Sequence, residues 1–377
     1  MSDEKKPIIL VICGDPGGAN AVIPVIKKLN DDNKTKVCVF SYGQASSLME
    51  NNDIPTQILE KNPTEFSIPE IIRQNHPSLL LASTSFNPAC LEKKFIRSAR
   101  VFNIPTLAIV DFWSNYSLRF SDNEGVLRFI PDSIAVMDEK AYYDMITEGF
   151  NPDALVITGQ PAFDALAEIK NTFTKIKRLA IRDLFHVPKN AIFIVFPSQP
   201  LSSLYGESDA NPHFLGFTEK TVIQKVIPVL EKISRDSNKC ISLLIRLHPR
   251  ESLEDYQHVN SKVIQVVVSQ EGNPREIVMA SDLVLGMNTE LLIEACYLGC
   301  IVISIQPGLR GKDPLPTNSL GYSIPVYSES KIHETINTIL MDPMKRDEIK
   351  HTLNHFKQDG QATRNVVKKI YQMICMQ

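Results

Sequence analysis

Residues 280–305 contain the pattern that most restricts the fold of this chain. A short apolar run is followed by a polar turn, an amphipathic segment, Gly299 and a second apolar run. Two buried strands joined by a helix form a parallel βαβ unit, because parallel strands need a long crossover connection. We therefore predict that this region belongs to a parallel α/β sheet.

The same alternation extends over most of the chain. Apolar runs that predict strands occupy residues 8–13, 36–40, 79–82, 106–110, 133–137, 155–158, 192–196, 241–247 and 263–268. Helical patterns lie between most of them, which predicts parallel sheets with helices on both faces. The 377-residue length favours two domains. We predict a Rossmann-like domain over residues 1–163, a second over 176–357, a cleft between them, and a last helix, residues 358–377, that packs back on the first domain.

Composition narrows the class of protein. The net charge of −3 gives no reason to expect nucleic acid as a partner. The apolar run at residues 7–13 is too short for a signal peptide, and no segment reaches the roughly 18 apolar residues of a membrane span. The seven cysteines include no CxxC pair, which favours reduced thiols. We predict a cytoplasmic protein, and the sequence leaves open both a peripheral contact with the inner membrane face and the oligomeric state.

Polar segments follow the strands of the second half, where open α/β sheets bind ligands. A basic loop follows one strand, and a polar turn opens the helix of the βαβ unit; arginines and helix N-termini both suit phosphate groups. The histidine of the basic loop could donate a proton or hydrogen bond to a departing phosphate, and a ribose diol could bind a helix carboxylate. The predicted binding residues are Ser198, Gln199, Arg246, His248, Arg250, Asn288, Thr289, Glu290 and Glu294. The alternative is a surface turn followed by a plain βαβ repeat with solvated glutamates.

The first half offers carboxylates at strand ends. Asp15 lies in a glycine-rich turn with Gly17 and Gly18, where the backbone can approach a ligand closely. Asp111 follows another strand beside aromatic residues that could stack on a sugar ring. Either carboxylate could act as the general base that a hydroxyl nucleophile needs. The alternatives are a tight turn in which Asp15 caps a helix, and a core aromatic cluster. Histidines, cysteines and carboxylates show no metal-ligand spacing, and we predict no metal site.

Together these segments resemble the GT-B superfamily of nucleotide-sugar enzymes. Residues 280–305 resemble the donor-binding βαβ unit, residues 156–164 the interdomain hinge, and residues 359–364 the start of the last helix. The resemblance implies that the turn at 288–290 holds phosphate and that Glu294 holds the ribose. It implies a nucleotide-sugar as donor substrate and no separate cofactor.

Two branches of the superfamily compete. The hinge and tail resemble the non-hydrolysing UDP-N-acetylglucosamine 2-epimerases, but this chain departs from that branch at residues 81–85, 198–200 and 288–290, and Asp111 stands where that branch has a glutamate. Residues 199–201 and 246–251, with Asn288 and Thr289, are similar to transferases with a His-Pro motif, such as polysialyltransferases, Kdo transferases and CDP-glycerol glycerophosphotransferases.

The resemblance therefore favours a glycosyltransferase that acts on a cell-envelope glycan or glycolipid acceptor. Asp15 is the preferred base, Asp111 the reserve, and His248 the group facing the leaving phosphate. A 2-epimerase-like enzyme and a non-catalytic nucleotide-sugar-binding or scaffold protein are the alternatives.

Overall fold

The computed structural model describes residues 6–60, 67–87, 90–354 and 359–375. The chain forms two compact units: Met1–Ala165 with Asp359–Gln377, and Leu166–Gln358. Each unit contains one sheet of parallel strands covered by helices. The predicted fold class, two Rossmann-like α/β halves, is confirmed.

The first unit contains a seven-stranded sheet in the order β3-β2-β1-β4-β5-β6-β7. Its order reverses between β1 and β4, which makes that junction the switch point of a doubly wound sheet. The central strands are almost wholly buried, as their continuous apolar runs predict. Its elements are β1 (Ile8–Cys13), α1 (Pro16–Asp32), β2 (Lys36–Ser41), α2 (Gln44–Asn51), β3 (Gln57–Ile58), α3 (Ser67–Asn75), β4 (Leu79–Ala82), α4 (Glu92–Val101), β5 (Thr106–Ile109), α5 (Tyr116–Phe120), β6 (Ser133–Val136), α6 (Glu139–Thr147) and β7 (Leu155–Ile157).

Helix α1 begins at Pro16, closer to β1 than its apolar pattern indicates. Pro16 is tolerated because the first N–H of a helix has no partner inside the helix. Pro24 therefore lies in the helix interior, where it removes one backbone hydrogen bond. Asp15 occupies the N-cap position, but its side chain makes no capping hydrogen bond. That carboxylate is held by another partner, described below.

The last helix, α16 (Ala362–Cys375), belongs to the first unit, which confirms that the C-terminal helix packs on the first domain. Three of its side chains, Val366, Val367 and Ile370, join the core beneath α1. The Asp164 carboxylate accepts hydrogen bonds from the backbone N–H groups at the start of α16, at 3.1 and 2.7 Å. The outer ends of the predicted last segment, residue 358 and residues 376–377, lie outside the described residues.

Gly159 explains part of the hinge-like motif. Its φ of +90° lies in the left-handed region, and a Cβ placed on it would come within 2.8 Å of the Ala362 Cβ. Glycine at this position allows the chain after β7 to approach the start of α16, which Asp164 then caps.

The second unit contains a six-stranded sheet in the order β10-β9-β8-β11-β12-β13, which reverses between β8 and β11. Among the described residues no helix is long and apolar enough to cross a membrane. The elements after β7 are α7 (Asp164–Thr172), at the junction of the units, and then α8 (Lys175–Leu184), β8 (Ile192–Pro197), α9 (Leu201–Tyr205), α10 (Glu219–Ser237), β9 (Ile241–Arg246), β10 (Gln265–Ser269), α11 (Pro274–Ala280), β11 (Leu283–Gly286), α12 (Glu290–Tyr297), β12 (Val302–Ile305), α13 (Pro316–Ser319), β13 (Ile324–Val326), α14 (Glu329–Met341) and α15 (Pro343–Asn354).

Candidate functional site

A pocket of about 450 Å³ opens in the second unit at the carboxyl ends of β8, β9 and β11. This is the point where the strand order reverses, and open α/β sheets bind ligands there. The folding of the sheet thus brings together loops that are far apart in sequence. The predicted residues that line the pocket are Ser198, Arg246, His248, Thr289, Glu290 and Glu294. Gln199, Arg250 and Asn288 lie beside it rather than in its lining.

Arg246 is the last residue of β9 and is partly buried. Its Nη1 donates to the Leu247 carbonyl at 2.5 Å. Its Nε is buried and has no hydrogen-bond partner among the described residues. Burial lowers the pKa of this guanidinium, but an arginine stays charged at neutral pH. A buried, unsatisfied cationic donor at the wall of a pocket is suited to an anionic ligand.

His248 is held in one orientation by its own loop. Its backbone N–H donates to Glu251 Oε2 at 2.7 Å, and its Nδ1 accepts from the Arg250 N–H at 3.1 Å. Burial lowers the pKa of the imidazole, and this effect outweighs the nearby Glu251 carboxylate. The ring is therefore neutral near pH 7 with its proton on Nε2, which makes Nε2–H the available donor.

Glu251 holds the loops of the candidate site together, and the sequence pattern did not single it out. Besides the His248 N–H, it accepts hydrogen bonds from the Ser198 hydroxyl at 2.8 Å and from the Tyr256 hydroxyl. Burial raises the pKa of Tyr256, so the phenol stays protonated and donates. One carboxylate thus joins the end of β8 to the loop after β9. The Ser198 proton is committed to this network, so Ser198 supports the loop as well as lining the pocket.

The N-terminus of α12 forms another wall. Thr289 is its N-cap, and the side chain makes no capping hydrogen bond. Glu290 is exposed in the first turn. The Asn288 N–H donates to Gln199 Oε1 at 3.2 Å, which ties the loops after β8 and β11 together. Asn288 Oδ1 is buried without a partner among the described residues. Gln199 and Asn288 therefore brace the turn that presents the α12 amides to the pocket.

Glu294, which is 7% exposed, is paired with a residue missing from the predicted site. Arg275 Nε and Nη2 donate to its two carboxylate oxygens at 3.0 and 2.6 Å. The pair raises the pKa of Arg275, and both side chains line the pocket. Each oxygen keeps a second lone pair, so Glu294 can still accept a hydroxyl hydrogen bond. Arg250 is exposed and lies outside the lining.

In the first unit, Asp15 lies at the switch point between β1 and β4. Its Oδ2 accepts a hydrogen bond from the hydroxyl of Ser85, which follows β4. The Asn87 N–H donates to the same Ser85 oxygen at 3.0 Å, so the hydroxyl proton is directed at Asp15. The structure thus holds the Asp15 carboxylate in a fixed orientation at the carboxyl ends of β1 and β4.

Gly17 and Gly18 allow α1 to approach the protein's own strand ends. A Cβ on Gly17 would collide with Asp111 Oδ2, and one on Gly18 would come within 2.7 Å of the Ser83 Cβ. Packing alone accounts for both glycines. It also places the start of α1, next to Asp15, directly against Asp111.

Asp111 is engaged in an ion pair. Arg119 Nη1 donates to its Oδ1 at 2.5 Å, and the arginine side chain is only 3% exposed. The adjacent Trp113 is buried, and its Nε1 donates to Asp138 Oδ2 at 2.7 Å. Its ring packs on Phe112 and Phe163. The aromatic residues therefore form a core cluster rather than an open stacking platform, and Asp111 is less available as a base than Asp15.

A buried carboxyl group also lies close to this edge. Glu92 at the start of α4 is 2% exposed and accepts hydrogen bonds from the Ser83 hydroxyl at 2.9 Å and from the Tyr42 hydroxyl. Burial raises the pKa of Glu92 above its ordinary value of 4.5, although both hydrogen bonds act in the opposite direction. No pattern in the sequence distinguishes this glutamate from an exposed one.

Glu92→Gln should reveal this shift as a change in pH dependence. A carboxyl group whose pKa is higher in the folded protein than in the unfolded protein stabilises the fold at pH values below its unfolded-state pKa of 4.5. This contribution to the free energy of unfolding is lost as the pH rises through the pKa of the folded state. The variant lacks this loss. Urea unfolding from acid to neutral pH should show the variant gaining stability relative to the wild type as pH rises. A constant difference between the two proteins would contradict the assignment.

Among the described residues, no three histidine, cysteine or carboxylate side chains are grouped closely enough to hold a metal ion. No protein-family model and no curated protein sequence matches the chain.

Solved structures do match, over nearly the full length of both chains. A UDP-GlcNAc 2-epimerase from Neisseria meningitidis bound to UDP-GlcNAc is 18% identical, with 97% of this chain and 100% of that chain covered and a TM-score of 0.64. A glycosyltransferase from Rickettsia africae is 15% identical, with coverage of 98% and 99% and a TM-score of 0.66. An Anabaena protein in complex with UDP is 13% identical, with coverage of 98% and 100% and a TM-score of 0.64. At these identities the likeness shows the fold alone, and it agrees with the predicted pair of Rossmann-like α/β halves.

Proposed function

We propose that this protein is a GT-B glycosyltransferase that moves a sugar from a nucleotide-sugar donor to a hydroxyl group of a cell-envelope glycan or glycolipid. The observation that carries the proposal is the pocket at the switch point of the second unit. Arg246, His248 and the start of α12 line this one pocket, and the buried Nε of Arg246 has no partner among the described residues. These groups suit a diphosphate.

The names of the structural neighbours support the same donor class. The Neisseria epimerase was solved with UDP-GlcNAc and the Anabaena protein with UDP. In the proposed complex, Glu294 accepts a ribose hydroxyl while Arg275 keeps the carboxylate oriented. The pocket wall around Arg275, with Asn273 and Pro274, is left to contact the rest of the nucleoside.

The proposed reaction is a direct glycosyl transfer. The acceptor hydroxyl oxygen attacks the anomeric carbon, the bond from that carbon to the phosphate oxygen breaks, and the nucleoside diphosphate leaves with the bonding electrons. The acceptor proton passes to the Asp15 carboxylate, which Ser85 holds in place. Arg246 and His248 stabilise the charge that develops on the leaving phosphate. Because the Arg246 guanidinium supplies positive charge and the neutral His248 a hydrogen bond, we propose that the reaction needs no divalent cation, and retained activity in a chelator would support this step.

The 2-epimerase function is the second candidate, because several structural neighbours carry that name. An epimerase needs acid and base groups on both faces of one sugar ring. Here residues 83–85, directly after β4, offer hydroxyl groups and no carboxylate, and Asp111 is paired with Arg119. Incubation with labelled UDP-GlcNAc without acceptor separates the functions: release of the 2-epimer would overturn the transferase proposal.

Calorimetry with UDP-, CMP-, CDP- and GDP-sugars tests donor binding and identifies the base in one experiment. We expect one nucleotide class to bind, and the bare nucleotide of that class, a nucleoside diphosphate or CMP, to retain most of the affinity. If the folded protein binds none of them, the proposed function is wrong and the scaffold alternative gains support. If a nucleotide-sugar binds but no acceptor mixture accelerates its turnover, a non-catalytic nucleotide-sugar-binding protein is favoured.

A further inference from the structure

A buried carboxyl group that the proposed reaction does not use connects three segments close to Asp15. Glu92, at the start of α4, accepts hydrogen bonds from the Tyr42 hydroxyl and, at 2.9 Å, from the Ser83 hydroxyl. The Tyr42 oxygen also accepts a hydrogen bond from the Leu91 N–H at 3.0 Å. Glu92, Tyr42 and Ser83 are all buried. The start of α4 therefore fixes one residue that follows β2 and another that follows β4.

The Tyr42 ring packs against the turn that carries Asp15. A Cβ on Gly14 would collide with this ring, so the ring lies directly against the backbone of the residue before Asp15. The Gly14 carbonyl accepts a hydrogen bond from the Ala45 N–H at 3.1 Å. Tyr42 and the first turn of α2 therefore hold the peptide group on the N-terminal side of Asp15.

Ser83 supports the other side of the same turn. A Cβ on Gly18 would lie 2.7 Å from the Ser83 Cβ, so the first turn of α1 packs directly on this serine. The Asp15 carbonyl accepts a backbone hydrogen bond from the Ala19 N–H in that turn at 2.9 Å. Glu92 is thus connected, through one side chain on each side, to the backbone before and after Asp15.

We infer that Glu92 is a positioning residue for Asp15: it fixes Tyr42 and Ser83, and these fix the backbone from which the carboxylate of the base projects. Ser85 orients the carboxylate itself, so the two contacts have different tasks. A buried polar network whose members are all paired makes its surroundings rigid. Rigidity matters here because a misplacement of about 1 Å can lower a reaction rate about 100-fold. The inference rests on the proposed function for its role in catalysis, whereas the structural link is measured without substrate.

Hydrogen–deuterium exchange of the free protein tests the structural link. In Glu92→Leu, which removes both acceptor oxygens, and in Tyr42→Phe, which removes one hydroxyl, we expect the Ala19 and Ala45 amides to exchange about tenfold faster or more, because their acceptors lie in the loosened turn. The Leu80 amide, which donates to the Pro105 carbonyl at 2.9 Å at the other end of β4, reports unfolding of the whole sheet and should change less.

Two conservative variants serve as controls. Glu92→Gln keeps an acceptor oxygen for the Tyr42 hydroxyl and offers a donor to the Ser83 oxygen, so it should restore slow exchange to within about threefold of the wild type. Tyr116→Phe also removes a buried tyrosine hydroxyl of the first unit, but that hydroxyl has no hydrogen-bond partner among the described residues. It should leave the exchange of Ala19 and Ala45 unchanged.

Steady-state kinetics test the role in catalysis. The substrates are the nucleotide-sugar identified by calorimetry and a cell-envelope extract as the source of acceptor. We expect kcat to fall about tenfold in Glu92→Leu and in Tyr42→Phe, with the KM for the nucleotide-sugar within about twofold of the wild type, because the pocket of the second unit is not altered. Glu92→Gln should retain most of the wild-type kcat.

Unchanged exchange of Ala19 and Ala45 in Glu92→Leu and Tyr42→Phe would overturn the inference. So would an equal acceleration at Leu80, since that result indicates a loss of global stability, or an equal loss of kcat in Tyr116→Phe. Faster exchange of the turn with unchanged kcat refutes the positioning role alone and leaves the transferase proposal intact. The proposed function fails by a different result, in which the folded wild type binds no nucleotide-sugar and shows no acceptor-dependent turnover.

Discussion

Asp15→Asn should lower kcat by a factor of about 100 or more while the affinity for the nucleotide stays within about twofold of the wild type. A positioned general base contributes about 10²–10⁴-fold to rate, and an asparagine cannot accept the acceptor proton. The amide can still receive the Ser85 hydrogen bond on its carbonyl oxygen, so the fold should be retained. The measurement is acceptor-dependent release of nucleoside diphosphate, with calorimetry of the same variant for donor affinity.

Asp111→Asn is the matched control, because it removes the other carboxylate of the same sheet edge. Its loss leaves the buried Arg119 without a counter-charge, so we expect a lower free energy of unfolding and a smaller effect on kcat. If the two variants exchange these roles, with kcat falling mainly in Asp111→Asn, then the reserve residue is the base. If neither variant changes kcat more than threefold, the base lies elsewhere and the proposed mechanism fails.

The strands and their order of appearance could be predicted because parallel sheets need continuous apolar runs. Residues 79–82 are predicted and observed as a strand with the same bounds, and residues 106–110 and 133–137 end within one residue of their predictions. Strand β3 was missed because it has two residues, both exposed, and carries no apolar run. The start of α1 could not be predicted, because Pro16, Gly17 and Gly18 lack the amphipathic signal that defines the rest of the helix.

The loops that line the pocket of the second unit could be predicted because their positions follow from the ends of strands. Their internal partners could not. Arg275 in α11 pairs with Glu294 in α12. Glu251 in the loop after β9 accepts a hydrogen bond from Ser198, which follows β8. Each contact depends on packing between segments that are separated in the chain. The same limit applies to Arg119, whose pairing with Asp111 changes the expected chemistry of that aspartate.

Arg246→Met should weaken nucleotide binding by a factor of about 10–100 without destabilising the free protein. A charge-assisted hydrogen bond to a buried phosphate contributes about 1.5–3 kcal/mol, which gives that range. In the free protein, burial of the Arg246 guanidinium costs free energy of desolvation, and its Nε has no hydrogen-bond partner among the described residues. A methionine of similar length removes this cost and loses one hydrogen bond, to the Leu247 carbonyl.

We therefore expect the free energy of unfolding of Arg246→Met to equal or exceed that of the wild type, measured by urea unfolding without ligand. A structural arginine would show the opposite pattern, with stability and affinity falling together. Arg250→Gln, which alters an exposed arginine of the same loop outside the pocket lining, should change affinity less than about threefold, because solvent screens its charge. Unchanged affinity in Arg246→Met would show that the phosphate does not bind at this wall of the pocket. An equal loss of affinity in Arg250→Gln would show that the basic character of the loop, and not the Arg246 guanidinium, attracts the phosphate.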